Sequence, residues 1–233
     1  MPNELLLLIS LVVVYGMVLL WYLFFGPKGL LCWTVLATIA ANIEVLILVD
    51  AFGMEQTLGN ILFASTFLVT DILSETVGKK EADLAVNIGI ATSVCFILIS
   101  QSWLLYQPNA NDVAFESIHM VFRNTPRMML TGVIVYAIVQ KFDVWAYHKW
   151  WAWTKKRCGD SRRFLWLRNN ASTLTSQLLN AILFTAGAFA GTYSFRTLIS
   201  IAGVSYLIFI ITSLADTPVV YLARRIKERR TFS

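Results

Sequence analysis

The sequence predicts an all-α fold, a polytopic membrane helix bundle of seven spans with its N-terminus outside and its C-terminus inside. Three observations predict it. Of 233 residues 57% are hydrophobic and 14% charged, with a mean hydropathy of +0.65, which places the chain among integral membrane proteins. Seven stretches meet or approach the run of about 20 apolar residues that crosses a hydrocarbon core about 30 Å thick. Finally, Lys and Arg divide unequally between the alternate ends of those stretches: with the "GKKE" turn inside, all of the 19 except Arg123, Arg127 and Arg196 are cytoplasmic, as the positive-inside rule requires.

The spans run approximately Leu5–Phe25, Gly29–Val49, Thr57–Leu73, Asp83–Tyr106, Met128–Tyr147, Asn169–Gly191 and Thr197–Leu222. The first has no basic start and no small-residue cleavage site before "GPKG", so it reads as a retained anchor span rather than a signal peptide. Gly26 and Pro27 close a tight turn into the second, because proline cannot continue a helix and glycine accepts turn geometry. We take residues 1–28 as this anchor and 29–233 as a six-helix core, with a basic cytoplasmic loop at 148–168 and a basic tail. Gly159 is the breaker within that loop. The outer segment "NDVAFESIHMVFRNTP" carries Phe115, Ile118, Met120 and Val121/Phe122 near helical spacing, as in an interfacial helix.

Several function classes find no support. The basic residues sit in juxtamembrane turns beside no RNA- or DNA-binding motif, so the net charge of +5 reflects topology rather than a nucleic-acid partner. Cys32, Cys95 and Cys158 are scattered, and with only His119 and His148 they suggest neither a disulfide framework nor a metal site. The chain lacks GxxxxGK, GxSxG and HExxH, so no common ATPase or hydrolase arrangement and no cofactor is expected.

What remains is the polar content of the spans. A carboxylate at the centre of a membrane helix costs about 3 kcal/mol on insertion scales, so such groups face a bundle interior or a wet cavity. Spacings of three and four align Asn60, Ala64, Phe67 and Asp71 on the third span, Asn169, Thr173, Ser176 and Asn180 on the sixth, and Ser205, Phe209, Thr212 and Asp216 on the seventh. The second adds Thr34, Thr38 and Asn42, whereas the first is nearly featureless and reads as a wall. Single Ser and Thr residues are ordinarily glue between helices; Asp71, Asp143 and Asp216 are not, although a salt bridge to Lys141, Arg168 or the tail arginines competes with a functional role. At the start of the sixth span Asn169 or Asn170 is a candidate N-cap. Polarity continues through Ser176, Gln177 and Asn180, deeper than a cap requires, as in a hydrated cavity lined by a helix start.

The blocks "ASTFLVTDILSETVGKKEA", "QKFDVWAYHKWW" with "LWLRNNASTLTSQLLNAILFTAGAF", and "ISIAGVSYLIFIITSLADTPVVYLARRIK" resemble the bacterial queuosine precursor transporter family, also called the vitamin uptake transporter family. The resemblance runs from Leu31 to Lys227, so six spans form the family core and the first is an addition. It implies a multi-pass protein of the bacterial inner membrane, not an enzyme. The family imports a 7-deazaguanine base (7-cyano-7-deazaguanine, 7-aminomethyl-7-deazaguanine or queuine) for salvage into modified tRNA. Two positions depart from the pattern: many relatives have Asp where this chain has Asn180, and Tyr where it has Val77.

A flat guanine-like edge calls for amides or carboxylates and for aromatic faces. The expected substrate-binding set is Asn42, Asn60, Phe67, Asp71, Ser176, Gln177, Asn180, Tyr206, Phe209 and Asp216. Glu75, Asp143, Arg168, Asn169 and Asn170 are expected to gate the cytoplasmic side or pair there. Two other classes stay open, a substrate-binding membrane subunit of an energy-coupling-factor system and a membrane enzyme without a recognised motif. The lipid bilayer and a small base are the expected partners, and a homodimer is an assembly the sequence allows.

Overall fold

The computed structural model of the protein describes residues 2–123, 126–159 and 163–231. They form eight helices and one hairpin: α1 (Asn3–Phe25), α2 (Pro27–Glu44), β1 (Leu48–Ala51), β2 (Met54–Thr57), α3 (Asn60–Thr76), α4 (Lys79–Trp103), α5 (Phe115–Arg123), α6 (Pro126–Cys158), α7 (Leu165–Phe189) and α8 (Phe195–Thr231). Each of the seven expected spans corresponds to one long helix. Four of them, α1, α4, α6 and α8, are long and apolar enough by themselves to cross a membrane; α2 and α3 are shorter, and α7 is more polar.

The turns follow from local chemistry. Gly26 has φ 63° and Pro27 opens α2, so one residue ends a helix while the next, whose N–H would be unsatisfied anyway, starts another. Gly29 then lets α2 approach α1, since a Cβ there would strike the Trp21 carbonyl oxygen.

Between α2 and α3 the structure corrects the expected boundaries. The second span stops at Glu44 rather than Val49, and the third starts at Asn60 rather than Thr57. Residues 48–57 instead pair as an antiparallel hairpin, Leu48 opposite Thr57 and Ala51 opposite Met54. The two residues between the strands, Phe52 and Gly53, have φ 55° and 69°, as a two-residue turn matching strand twist requires. Apolar β-branched residues serve strand and membrane helix alike, so hydropathy ran through the break. The hairpin is tied to α1: Asn3 Nδ2 donates to the Asp50 carbonyl at 2.7 Å, and the Phe52 N–H donates to Glu4 Oε1 at 2.9 Å.

The basic connector is also corrected. At about 1.5 Å per residue, α6 is about 50 Å long and α8 about 55 Å, well beyond a hydrocarbon core of about 30 Å. The first half of the loop at 148–168 is therefore a continuation of α6, and the basic tail a continuation of α8. α6 ends at Gly159, whose φ is 69°, in line with its expected role as breaker; residues 160–162 of the loop lie outside the described residues. α7 starts at Leu165 with no side-chain cap, so Asn169 and Asn170 lie inside the helix and do not cap it. Trp166 and the leucines around it carry the helix one turn further than the polar residues suggested. The expected helix in the outer segment is present as α5, with Phe122 packed on Phe96 and Met129.

α3 lies at the centre, buried from Ala64 to Ser74 and packed by α1, α2, α4, α6 and α8. On one side an apolar cluster joins Tyr15, Val18 and Tyr22 of α1 to Leu30 and Trp33 of α2, Leu68 and Ile72 of α3, and Val220 of α8. The outer flank of α1 is exposed, Val12 to 73%. The opposite side of α3 faces α6 and α7, and there the polar residues gather.

Candidate functional site

Two connected compartments open on the hairpin side of the bundle. The outer one encloses about 1350 Å³ of empty space, part of it open to solvent, between the hairpin (Gln56), α7 (Phe189) and α8 (Ser200, Ser205). The inner one, about 670 Å³ including space shared with solvent, lies among α2, α3, α4, α6, α7 and α8. Asn60, Met128, Asn180, Phe184 and Phe209 are among the residues that line both, so the two spaces adjoin.

The walls of the inner compartment combine three chemistries. Amides come from Asn42, Asn60 and Asn180; hydroxyls from Thr38, Thr66, Ser93 and Tyr136; rings from Phe63, Phe184 and Phe209. Asn42 Nδ2 is held by the Thr38 carbonyl at 2.8 Å and Ser93 Oγ at 3.4 Å. Asn60 accepts from Thr57 at 3.3 Å, while its Nδ2 has no partner. The Tyr136 side chain is 4% exposed, and its hydroxyl, close to the Thr38 and Thr66 hydroxyls, makes no well-formed hydrogen bond. Gly89 makes room for it, since a Cβ at that position would strike the Tyr136 oxygen. Phe63 meets the Tyr136 and Phe209 rings edge-on or tilted, at 6.0 and 6.2 Å.

Beneath this compartment the helices close. Gln140 Nε2 donates to Thr66 Oγ1 at 2.6 Å, and Thr70 Oγ1 reaches Gln140 Oε1 at 3.4 Å. One to two turns deeper, Thr173 donates to Asp71 Oδ2 at 3.1 Å and Ser176 to Asp143 Oδ1 at 2.7 Å. Asp71, Asp143 and Asp216 come from α3, α6 and α8 and are buried; each keeps one oxygen without a partner. Gln177 is wholly buried, with neither end of its amide bonded.

At the far end Arg168 Nη2 sits 2.6 Å from Glu75 Oε2. Tyr147 donates to the same oxygen at 2.8 Å, Arg168 Nη1 donates to the Arg163 carbonyl at 3.0 Å, and the guanidinium lies over the Trp151 ring at 4.4 Å. Arg224 of α8 approaches Glu75 Oε1 at 3.5 Å. One network thus ties α3, α6, α7 and α8 together at the end opposite the hairpin.

The expected residues therefore separate into layers. Asn42, Asn60, Asn180 and Phe209 line the inner compartment. Phe67, Asp71, Ser176, Gln177 and Asp216 are buried below it and line neither space. Tyr206 is half-buried on α8 and also lines neither. In the expected gating set, Glu75 and Arg168 pair with each other, so the guanidinium goes to Glu75 rather than to Asp71, Asp143 or Asp216. Asp143 takes the Ser176 hydroxyl, and Asn169 and Asn170 reach Thr217 at 3.4 and 2.7 Å.

The sequence reading missed a fourth stripe. Gly132, Tyr136, Gln140, Asp143 and Tyr147 recur at spacings of three and four along α6, and the four side chains beyond glycine are all buried. The same periodicity test applied to the fifth span would have found it.

Comparison with known proteins identifies the lineage. The sequence profile described as "putative vitamin uptake transporter" matches residues 57–223. The chain belongs to that family. A curated relative from Bacillus subtilis (strain 168), named "Probable queuosine precursor transporter", is 36% identical over 208 residues, covering 89% of this chain and 89% of its own length. No solved structure matches. The transporter is not an enzyme, and with its long apolar helices it is a multi-pass membrane protein. Its layers acquire a sense on that basis: a cavity open on one side, a packed polar floor, and an ion-paired closure on the other.

Proposed function

We propose that this transporter imports a 7-deazaguanine precursor of queuosine across the bacterial plasma membrane, for salvage into tRNA. The observation that carries the reading is the inner compartment, where amides from three helices surround a space walled by phenylalanine rings. A deazaguanine presents a flat face for stacking and an edge of N–H donors beside a carbonyl acceptor; an asparagine answers both kinds of edge group. The 36% identity to the relative named "Probable queuosine precursor transporter" supports the same cargo.

The seven long helices alternate in direction, and in the proposed topology the hairpin faces outward and the Glu75–Arg168 end faces the cytoplasm. All but three of the Lys and Arg residues then lie inside, as the positive-inside rule asks. The conformation is thus outward-open. The base enters past the hairpin and settles among Asn42, Asn60, Asn180 and Phe209. Inward release follows when the bonds of Asp71 to Thr173, Asp143 to Ser176 and Glu75 to Arg168 part together, as one half of the bundle rocks against the other.

Uptake of the three labelled bases by the purified chain in proteoliposomes, with and without a proton gradient, tests cargo and energy source together. Accumulation of at least one base is expected. Transport that needs added ATPase partners would make the chain a membrane subunit of a larger system, and absence of uptake of all three would end the proposal.

A further inference from the structure

Resting on the importer reading, we infer that the cavity selects by charge, and that the transporter takes a neutral deazaguanine such as 7-cyano-7-deazaguanine in preference to the cationic 7-aminomethyl base and queuine. Among the described residues lining the two compartments there is no Asp, Glu, Lys, Arg or His. The path from vestibule to floor is built of amides, hydroxyls and apolar side chains. An ammonium entering it gives up water and meets no counter-charge, a loss that a neutral substituent does not suffer.

The three buried aspartates do not change this. Asp71 follows the wall residue Thr66 by five positions, Asp143 follows Tyr136 by seven, and Asp216 follows Phe209 by seven, placing them roughly 7–10 Å deeper at the helical rise. Between lie the Gln140–Thr66 hydrogen bond and the Phe67 ring, which is wholly buried. Cation–π attraction to Phe63, Phe184 and Phe209 favours the ammonium, but phenylalanine is a weaker partner than tryptophan and does not replace a lost hydration shell. The unpaired polar groups at the wall, Asn60 Nδ2 and the Tyr136 hydroxyl, offer hydrogens to an acceptor. A nitrile nitrogen or a ring carbonyl is such an acceptor; an ammonium is not.

Competition against labelled 7-cyano-7-deazaguanine in proteoliposomes tests the inference with two changes. The first replaces the competitor: 7-hydroxymethyl-7-deazaguanine has the shape of the aminomethyl base without its charge. It is expected to compete within threefold of the cyano base, with the aminomethyl base at least tenfold weaker. The second replaces the wall: Asn180→Asp places a carboxylate on both compartments and should narrow the gap between cyano and aminomethyl bases at least threefold. Equal competition by all three bases overturns charge selection and leaves the importer reading standing. A hydroxymethyl base excluded as strongly as the aminomethyl base overturns it too, because size is then the filter. If no deazaguanine competes or enters, both readings fall.

Discussion

At the scale of single residues, Tyr136 and Asn180 separate binding from folding. The Tyr136 hydroxyl is buried without a well-formed hydrogen bond, so Tyr136→Phe removes a group whose desolvation the fold already bears. Thermal stability in detergent is expected to stay the same or rise, while cargo affinity falls about fivefold, the value of one hydrogen bond of about 1 kcal/mol. Unchanged affinity would show that the hydroxyl does not meet the base. Gly89→Ala acts on the same atom from behind: the added methyl strikes the Tyr136 oxygen, and such overpacking costs about 1–3 kcal/mol. A lower melting temperature with weaker binding is the expected outcome. Asn42, Asn60 and Asn180 were legible in the sequence because polar residues on an apolar helix are costly, and Phe209 because its spacing places it on the face of Ser205, Thr212 and Asp216. Phe63 and Phe184 were not, since a phenylalanine in a span looks the same whether it meets lipid, a neighbouring helix or a cavity.

At the scale of elements, the network on Glu75 ties α3, α6, α7 and α8 together at the end opposite the hairpin. Among the described residues Arg168 is the largest wholly buried side chain, and its guanidinium is matched by the Glu75 carboxylate. Removing one partner of such a pair leaves a charge in a low-dielectric interior, at about 3–5 kcal/mol. Glu75→Gln and Arg168→Gln should each lower the melting temperature, whereas the double variant should lose clearly less than their sum, because each single loss includes the stranded partner. Additive losses would show that the two side chains are not coupled. Helix number and order were readable from hydropathy. Helix length was not, because the basic stretches after Tyr147 and Leu222 are too charged to read as spans yet continue α6 and α8 as good helix formers. The hairpin escaped for the converse reason, Leu48 and Val49 being as apolar as a helix end.

At the scale of the whole molecule, the layers make a claim about sides and about movement. With the hairpin outside, a Phe52→Cys chain lacking its three native cysteines should react with a membrane-impermeant maleimide in intact cells, since Phe52 is 53% exposed. Lys156→Cys, exposed near the end of α6, should react only after permeabilisation, and the reverse pattern would invert the topology. Movement is read at Ser176, which is wholly buried against Asp143 below the cavity. In the conformation seen, this position is reached neither through the vestibule, which ends above the Gln140–Thr66 bond, nor from the other end, which Arg168 and Glu75 close. A Ser176→Cys thiol should therefore label slowly from both faces at rest. If the bundle rocks about a bound base, adding cargo hydrates that layer from the cytoplasmic side, and labelling in inside-out vesicles should accelerate at least fivefold while labelling from the outer face stays slow. Rates that ignore cargo would mean the floor does not open, and an alternating-access cycle through this layer would have to be abandoned.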